Sequence, residues 1–88
     1  ALFCCNDVMA LAALDAARRS GVRVPDDVAV VGFDDIPMAS WESYRLTTVR
    51  QPVRRMLQQA VDMIFDPHSE LGDIRILPAE MQLRSTHI

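Results

Sequence analysis

The run Val28–Phe33 is continuously apolar, half of its residues are β-branched, and a pair of aspartates follows it. A strand without polar alternation is typical of a parallel sheet that is covered on both faces. Two segments precede it: an apolar run, Ala1–Cys5, and a stretch rich in Ala, Leu and Met, Val8–Ser20, which favours a helix that ends at Gly21. Strand, helix and strand in this order predict a right-handed βαβ unit and therefore an α/β fold.

The second half of the chain predicts a third strand at Leu46–Val49 and a helix that begins at Pro52. A short helical turn fits within Pro37–Tyr44, and two further strands are expected at Ile74–Leu77 and Met81–Ser85. The apolar residues of the second helix recur at spacings of three and four and so share one face. They are Val53, Met56, Leu57, Ala60, Val61, Ile64 and Phe65.

The first predicted helix is apolar around most of its circumference. One face would cover the sheet, and the other would need a second partner, such as a further lobe or another subunit. Met9 and Leu11 are the candidate anchors of that second contact. The alternative is that the many alanines are simply good helix formers that tolerate water.

The charge balance argues against direct contact between these residues and nucleic acid, because the formal net charge is −3 and nucleic-acid binders carry basic patches. The basic cluster Arg50, Arg54 and Arg55 is interpreted as a solvated face.

Cys4 and Cys5 are adjacent, which strains a disulfide, so we expect free thiols in a reducing compartment. The sequence lacks a secretory leader and an apolar stretch of about 20 residues. We therefore expect a cytoplasmic protein with no membrane partner.

Three polar residues follow the three predicted strands of the sheet. Asn6 follows the first strand, Asp34 the second and Gln51 the third. Ligands of open parallel sheets bind in the crevice beyond the carboxyl ends of the strands, so these side chains are predicted to line one binding site. A carboxylate accepts hydrogen bonds from hydroxyls, and amides both donate and accept. This mixture suits a neutral polyhydroxylated ligand such as a sugar.

Each of these residues also has a purely structural interpretation. Asn6 is a candidate N-cap of the first helix, although Asp7 can take that position and leave Asn6 for a ligand. Asp34 and Asp35 are both good turn formers. Gln51 fits equally well as a solvated residue that precedes a helix.

The sequence contains no recognisable constellation of catalytic or metal-ligating residues. His68 lies in a polar loop and His87 near the end of the chain, and their spacing from Cys4 and Cys5 fits no zinc pattern. A nucleophile elbow, a P-loop and a GxGxxG motif are all lacking. We therefore expect a binding module that uses no cofactor or metal, and not an enzyme.

Four segments in order resemble the LacI/GalR family of bacterial transcriptional repressors. Phe3–Ala10 is similar to the family's FxxND-x-MA segment, and Gly21–Asp35 is similar to G-x-x-VP-x-D-x-x-VVGFDD. Leu46–Pro52 matches LTTVRQP, and Leu77–Thr86 resembles the closing LPxEL-x-x-R-x-S/T. Order and spacing agree over nearly the whole chain, which makes the combination specific.

The resemblance implies that residues 1–88 are the C-terminal portion of an effector-binding and dimerisation domain without its DNA-binding head. The implied fold is part of a three-layer, parallel-sheet lobe of the periplasmic-binding-protein-like type I class. The effector would bind between two lobes, and Asn6, Asp34 and Gln51 match positions that are typically at its pocket. We expect a sugar effector, although a nucleobase is also conceivable.

The resemblance also implies a homodimer that binds operator DNA only through an N-terminal head outside these residues. The matching dimer-interface regions are the helix that contains Met9 and Leu11 and the stretch that contains Met38, Trp41 and Glu42. An alternative with the same fold is the sugar-binding receptor of a transport system. A truncated sheet exposes an edge strand, so we expect these 88 residues to self-associate.

Overall fold

The sheet of this chain has four strands in the order β1-β2-β3-β4, in a computed structural model that describes residues 1–88. The first three strands are parallel, and the fourth is antiparallel to the third. The elements are β1 Leu2–Phe3, α1 Asp7–Arg19, β2 Val30–Phe33, a 3-10 turn Pro37–Ser40, β3 Thr47–Arg50, α2 Val53–Phe65 and β4 Glu80–Gln82. The predicted βαβ unit and the α/β class are confirmed.

Asn6, and not Asp7, is the N-cap of α1. The Asn6 backbone is extended, and its side-chain Oδ1 accepts a hydrogen bond from the Met9 N–H at 2.9 Å. Satisfying an orphan N–H of the first turn in this way stabilises a helix by about 1 kcal/mol. At the other end, Gly21 adopts a positive φ of 71° just after the helix, as the sequence predicts.

The hydrophobic core lies between α1 and the sheet. It consists of seven buried residues, Cys4, Ala10, Leu11, Leu14, Val30, Ala39 and Leu46. Leu11 is only 8% exposed, because it lies on the α1 face that also carries Ala10 and Leu14. The expectation that Leu11 faces outward is therefore wrong, whereas Met9 is 53% exposed on the outer surface.

The expectation that Ala1–Cys5 is a buried strand is wrong for most of its residues. Leu2 and Phe3 are 45% and 63% exposed, and only Cys4 of this run is buried. The cause is the position of β1 at the edge of the sheet, where one flank of the strand has no neighbour. An apolar run predicts a strand, but it does not tell whether further strands lie beside it.

The apolar face of α2 has no partner among these residues. None of the residues of α2 is buried, and Ile64 and Phe65 are 75% and 80% exposed. The 88 residues therefore form the sheet and one packed helical layer, while α2 extends the molecule to 57 × 21 × 19 Å. Neither helix is long and apolar enough to cross a membrane.

Ile74–Leu77 is not a strand, so this prediction is wrong. Ile74 and Ile76 are 82% and 89% exposed, and no strand lies beside them to supply a ladder. The next strand was expected at Met81–Ser85, but β4 pairs earlier, with Glu80 opposite Arg50. Beyond Gln82 the chain crosses to β2, where Thr86 exchanges hydrogen bonds with Val30.

Replacing Gly32 by alanine should destabilise the fold. A Cβ at this position would lie 2.2 Å from Asp7 Oδ1 and 3.0 Å from Leu46 Cδ2, and overpacking of this kind costs about 3 kcal/mol. The free energy of unfolding from urea denaturation measures the loss. Gly72→Ala is the control, because a Cβ there meets no atom within 4 Å, so that the variant bears only the strain of a positive φ, about 1–2 kcal/mol. Equal losses in the two variants would contradict the close contact.

Candidate functional site

The parallel pairing of β1, β2 and β3 brings their carboxyl ends to the same edge of the sheet. Phe3 lies opposite Val31, and Phe33 lies opposite Val49, so the residues that follow each strand emerge together. Asp34 and Gln51 meet directly, with Gln51 Nε2 donating to Asp34 Oδ1 at 2.9 Å. Two of the three residues predicted to line a site therefore contact each other.

Asn6 lies at the same edge but does not hydrogen-bond to the Asp34–Gln51 pair. Its Oδ1 is engaged by the Met9 N–H, so the structural alternative for Asn6 is real. The cap uses only the oxygen, and the side-chain NH2 group remains available to a further partner. Asn6 can therefore serve as the helix cap and as a hydrogen-bond donor at the site at the same time.

The turn after β2 has an unusual backbone. Asp34 and Asp35 have φ angles of 123° and 56°, although left-handed conformations are uncommon outside glycine. Two such residues cost on the order of 1–3 kcal/mol each, and they persist only where the surroundings hold them. One restraint is the Asp34 N–H, which donates to the Val49 carbonyl at 2.9 Å.

A second restraint is an ionic network around Asp35, whose side chain is only 7% exposed. Arg50 Nε lies 2.7 Å from Asp35 Oδ2, and Arg84 Nη2 lies 2.8 Å from Asp35 Oδ1. Burial tends to raise the pKa of Asp35, but the hydrogen bonds and charges of the two arginines outweigh it and hold that pKa below its ordinary value of 3.8. Arg84 also donates to the Leu46 carbonyl at 2.8 Å.

This network was not predictable from the sequence. Arg50, Arg54 and Arg55 are exposed, as expected of a solvated face, but the Arg50 guanidinium is also paired with Asp35. Arg84 lies 49 positions from Asp35. No periodicity or local motif relates residues at such a separation, and only the antiparallel return of β4 brings Arg84 close.

Asp7 forms a third restraint on the turn. It is completely buried and accepts hydrogen bonds from the Ile36 N–H at 2.9 Å and the Thr48 hydroxyl at 2.5 Å. Its position in the first turn of α1 places the carboxylate at the positive end of the helix dipole. Asp7 thereby connects α1, β3 and the segment that follows Asp35.

A hollow of about 200 Å³ opens beside Gln51. It is lined by Arg50, Gln51, Pro52, Arg55, Pro78 and Glu80. Another cavity, of about 480 Å³, is lined by residues that include Leu14, Tyr44 and Ile88. None of the three predicted site residues lines that second cavity, so the strand ends and not cavity size identify the candidate site.

The remaining predicted residues lie on the surface, in the core or in loops. Met38 and Trp41 are 37% and 56% exposed, and Glu42 is also exposed.

Cys4 and Cys5 are free thiols, and burial, assisted by the neighbouring Cys5, raises the pKa of Cys4. No group of three or more His, Cys, Asp or Glu side chains is arranged to hold a metal ion.

The mostly parallel sheet and its helices define an α/β domain of the periplasmic-binding-protein class, and the profile of the periplasmic binding protein-like domain matches residues 1–86. The chain is 38% identical over 91 residues to the HTH-type transcriptional repressor PurR of Aliivibrio salmonicida, which covers 99% of this chain. The chain belongs to the LacI/GalR family of transcriptional regulators, as part of their effector-binding domain.

Solved structures agree with this assignment. The Lac repressor dimer bound to operator and the anti-inducer ONPF superposes with a TM-score of 0.88 and 34% identity over 98% of this chain. A LacI family regulator from Lactobacillus casei with bound sucrose gives a TM-score of 0.75 and 31% identity over 96% of the chain. The 88 residues span 27% of the length of the Aliivibrio repressor, 31% of the Lac repressor chain and 32% of the Lactobacillus chain.

The lowered pKa of Asp35 predicts how its contribution to stability depends on pH. Because the pKa in the folded chain lies below the ordinary value of 3.8, the ionised carboxylate stabilises the fold at any pH above 3.8. That contribution is lost as the pH falls through the folded pKa. The difference in unfolding free energy between wild type and Asp35→Asn should therefore be constant above about pH 5 and shrink below 3.8.

Denaturant unfolding at stepped pH values measures this difference, and the contributions of the other carboxylates cancel between the two proteins. A gap between wild type and Asp35→Asn that widens towards acid pH would contradict the ion pairs. So would the absence of any gap at neutral pH.

Proposed function

We propose that this chain is the ligand-sensing and dimerisation portion of a LacI-type transcriptional repressor, and that Asp34, Gln51 and Asn6 contact its effector. The observation that carries the proposal is the hydrogen-bonded Asp34–Gln51 pair at the carboxyl ends of adjacent parallel strands. Ligands bind at this edge in open α/β sheets. The strained turn that presents Asp34 supports the same assignment, because backbone strain concentrates at functional sites.

A sugar is the proposed effector. With Gln51 Nε2 donating to Asp34 Oδ1, Asp34 Oδ2 and Gln51 Oε1 remain as acceptors, and the NH2 group of Asn6 remains as a donor. Hydroxyl groups satisfy both kinds of partner. The related regulator from Lactobacillus casei, which holds sucrose, supports a carbohydrate.

In this proposal the effector acts through the relative position of the two lobes of a cytoplasmic regulator. Binding would favour one arrangement of the lobes, and the dimer would pass that preference to the operator-binding heads. These residues would bind and not catalyse. The named relatives are transcriptional repressors, which favours a regulator over the transport receptor that shares this fold.

Substituting Asp34 by alanine in the regulator that carries this chain should weaken its effector response and spare its affinity for operator DNA. Losing a charged acceptor costs about 1.5–3 kcal/mol, which corresponds to about 10- to 100-fold in effector affinity. Thermal shift with ribose, glucose, sucrose and adenine identifies the responsive class of ligand, and titration calorimetry with the responsive compound then compares the variants. Operator affinity is measured in parallel by fluorescence anisotropy.

Asp26→Ala is the matched control, since Asp26 is an exposed carboxylate without a side-chain hydrogen bond. It should leave both affinities unchanged. Unchanged ligand affinity in Asp34→Ala would refute the pocket assignment. A response to adenine but to none of the three sugars would refute the sugar assignment while keeping the site.

We also propose that the regulator is a homodimer, with Met9, Met38, Trp41 and Glu42 at its interface. These side chains are exposed, and an aromatic residue beside methionines is typical of protein interfaces. Leu11 belongs to the same helix as Met9, but it is buried in the core and packs that helix against the sheet.

The 88-residue chain itself should self-associate through its free edge strand. Leu2 on β1 is 45% exposed at the edge of the sheet, and an uncovered edge pairs readily with another copy. Light scattering coupled to size exclusion should give a mass above 9.9 kDa, and Leu2→Lys should reduce it. A persistent monomer would refute this prediction. If Ile64→Lys on the exposed face of α2 dissociated the assembly and Leu2→Lys did not, edge pairing would be the wrong contact.

A further inference from the structure

We propose that Asp35 is a positioning residue of the effector site, which clamps the two segments flanking α2 to the turn that presents Asp34. The inference rests on the proposed function, in which Asp34 and Gln51 contact the effector. It concerns a carboxylate that makes no contact with that ligand and acts through the backbone and through two arginines.

The chain leaves the sheet and returns to it at neighbouring positions. It leaves after Arg50, the last residue of β3, and returns at Glu80, the first residue of β4, and these two residues are paired in the sheet. Arg50 lies on the outgoing segment, and Arg84 follows the return. Both guanidinium groups converge on the carboxylate of Asp35, at 2.7 and 2.8 Å, so one side chain holds both segments.

The turn after β2 and the end of β3 carry the proposed effector-binding pair. Asp35 is the neighbour of Asp34, and Arg50 is the neighbour of Gln51, so the Asp35–Arg50 and Asp34–Gln51 contacts are two successive links between one turn and one strand end. The distances are 2.7 Å and 2.9 Å. Holding the first link fixes the separation at which the second can form.

Burial shows that the clamp depends on Asp35 more than on either arginine. The Asp35 side chain is 7% exposed, whereas the side chains of Arg84 and Arg50 are 18% and 54% exposed. An exposed arginine that loses its partner is solvated by water, but a buried carboxylate has no such substitute and must remain paired. The positive φ angles of Asp34 and Asp35 add a reason for the clamp, because this turn conformation does not persist without restraint.

The turn is also held by Asp7, which accepts a hydrogen bond from the Ile36 N–H at 2.9 Å. Asp7 fixes the turn to the packed core, and Asp35 fixes it to the segments that lead to α2. A ligand that changes the spacing of Asp34 and Gln51 would therefore act on the direction in which α2 leaves the sheet. Asp35 would couple the two movements, because it is bonded to both arginines and is adjacent to Asp34.

The test is the side-chain amide signal of Gln51 in nuclear magnetic resonance spectra of the ¹⁵N-labelled 88-residue chain, assigned by its disappearance in Gln51→Glu. In the wild type we expect this signal away from the position of a free glutamine, because the amide donates to Asp34. Asp35→Asn should move it to the free position while the backbone signals of α1 stay dispersed. Asp26→Asn, the same chemical change at an exposed carboxylate, should leave it in place.

A Gln51 signal unchanged in Asp35→Asn, or already at the free position in the wild type, would overturn the proposal. If Asp35→Asn unfolds, shown by collapse of the α1 signals, Arg50→Gln decides, since it removes one of the two ion pairs. That variant should shift the Gln51 signal part of the way, and an unchanged signal would overturn the proposal. No effector enters this test, so failure of the proposed function appears separately, as no thermal shift with ribose, glucose, sucrose or adenine.

Discussion

The packed half of this molecule depends on one buried carboxylate. Asp7 lies in the first turn of α1, next to Gly32 of β2. Its carboxylate accepts hydrogen bonds from the Thr48 hydroxyl in β3 and from the Ile36 N–H. Helix, both inner strands and the turn after β2 thus meet at one side chain. A buried charge is tolerated only when it is hydrogen-bonded, and here each bond also fixes a separate element. The same contact explains why residue 32 has no side chain.

This anchoring also positions the side chain that we propose to contact the effector. The turn that carries Asp34 and Asp35 adopts a backbone that L-residues seldom take. It is held by Asp7, through the Ile36 N–H, and by Arg50 and Arg84, which pair with Asp35. Asp34 Oδ2 has no hydrogen-bond partner and lies at the carboxyl ends of the strands. A side chain held this firmly can select a ligand, because little ordering entropy remains to be lost on binding.

Local pattern predicted the parts of the fold that depend on neighbours in sequence. The order of the first three strands and the two helices, and the placement of polar residues at the strand ends, follow from the parallel arrangement. The direct hydrogen bond between Asp34 and Gln51 is a detail that only the structure reveals. Contacts between distant positions were not predictable, such as Arg84 with Asp35 across 49 positions. Neither was the environment of an element: Ala1–Cys5 shows its strand character but not that β1 would be an edge, and Ile74–Leu77 is apolar without a strand to join.

The paired positions of Arg50 and Glu80 have a consequence for how such a chain can evolve. The segment between them, which contains α2, joins the sheet at two residues that lie opposite each other on adjacent strands. Its two ends are therefore close together. Insertions are tolerated best where the ends of the inserted segment are close together. Selection can therefore lengthen, shorten or rewrite residues 53–79 without moving a strand, as long as Asp35, which pairs with both arginines, is retained.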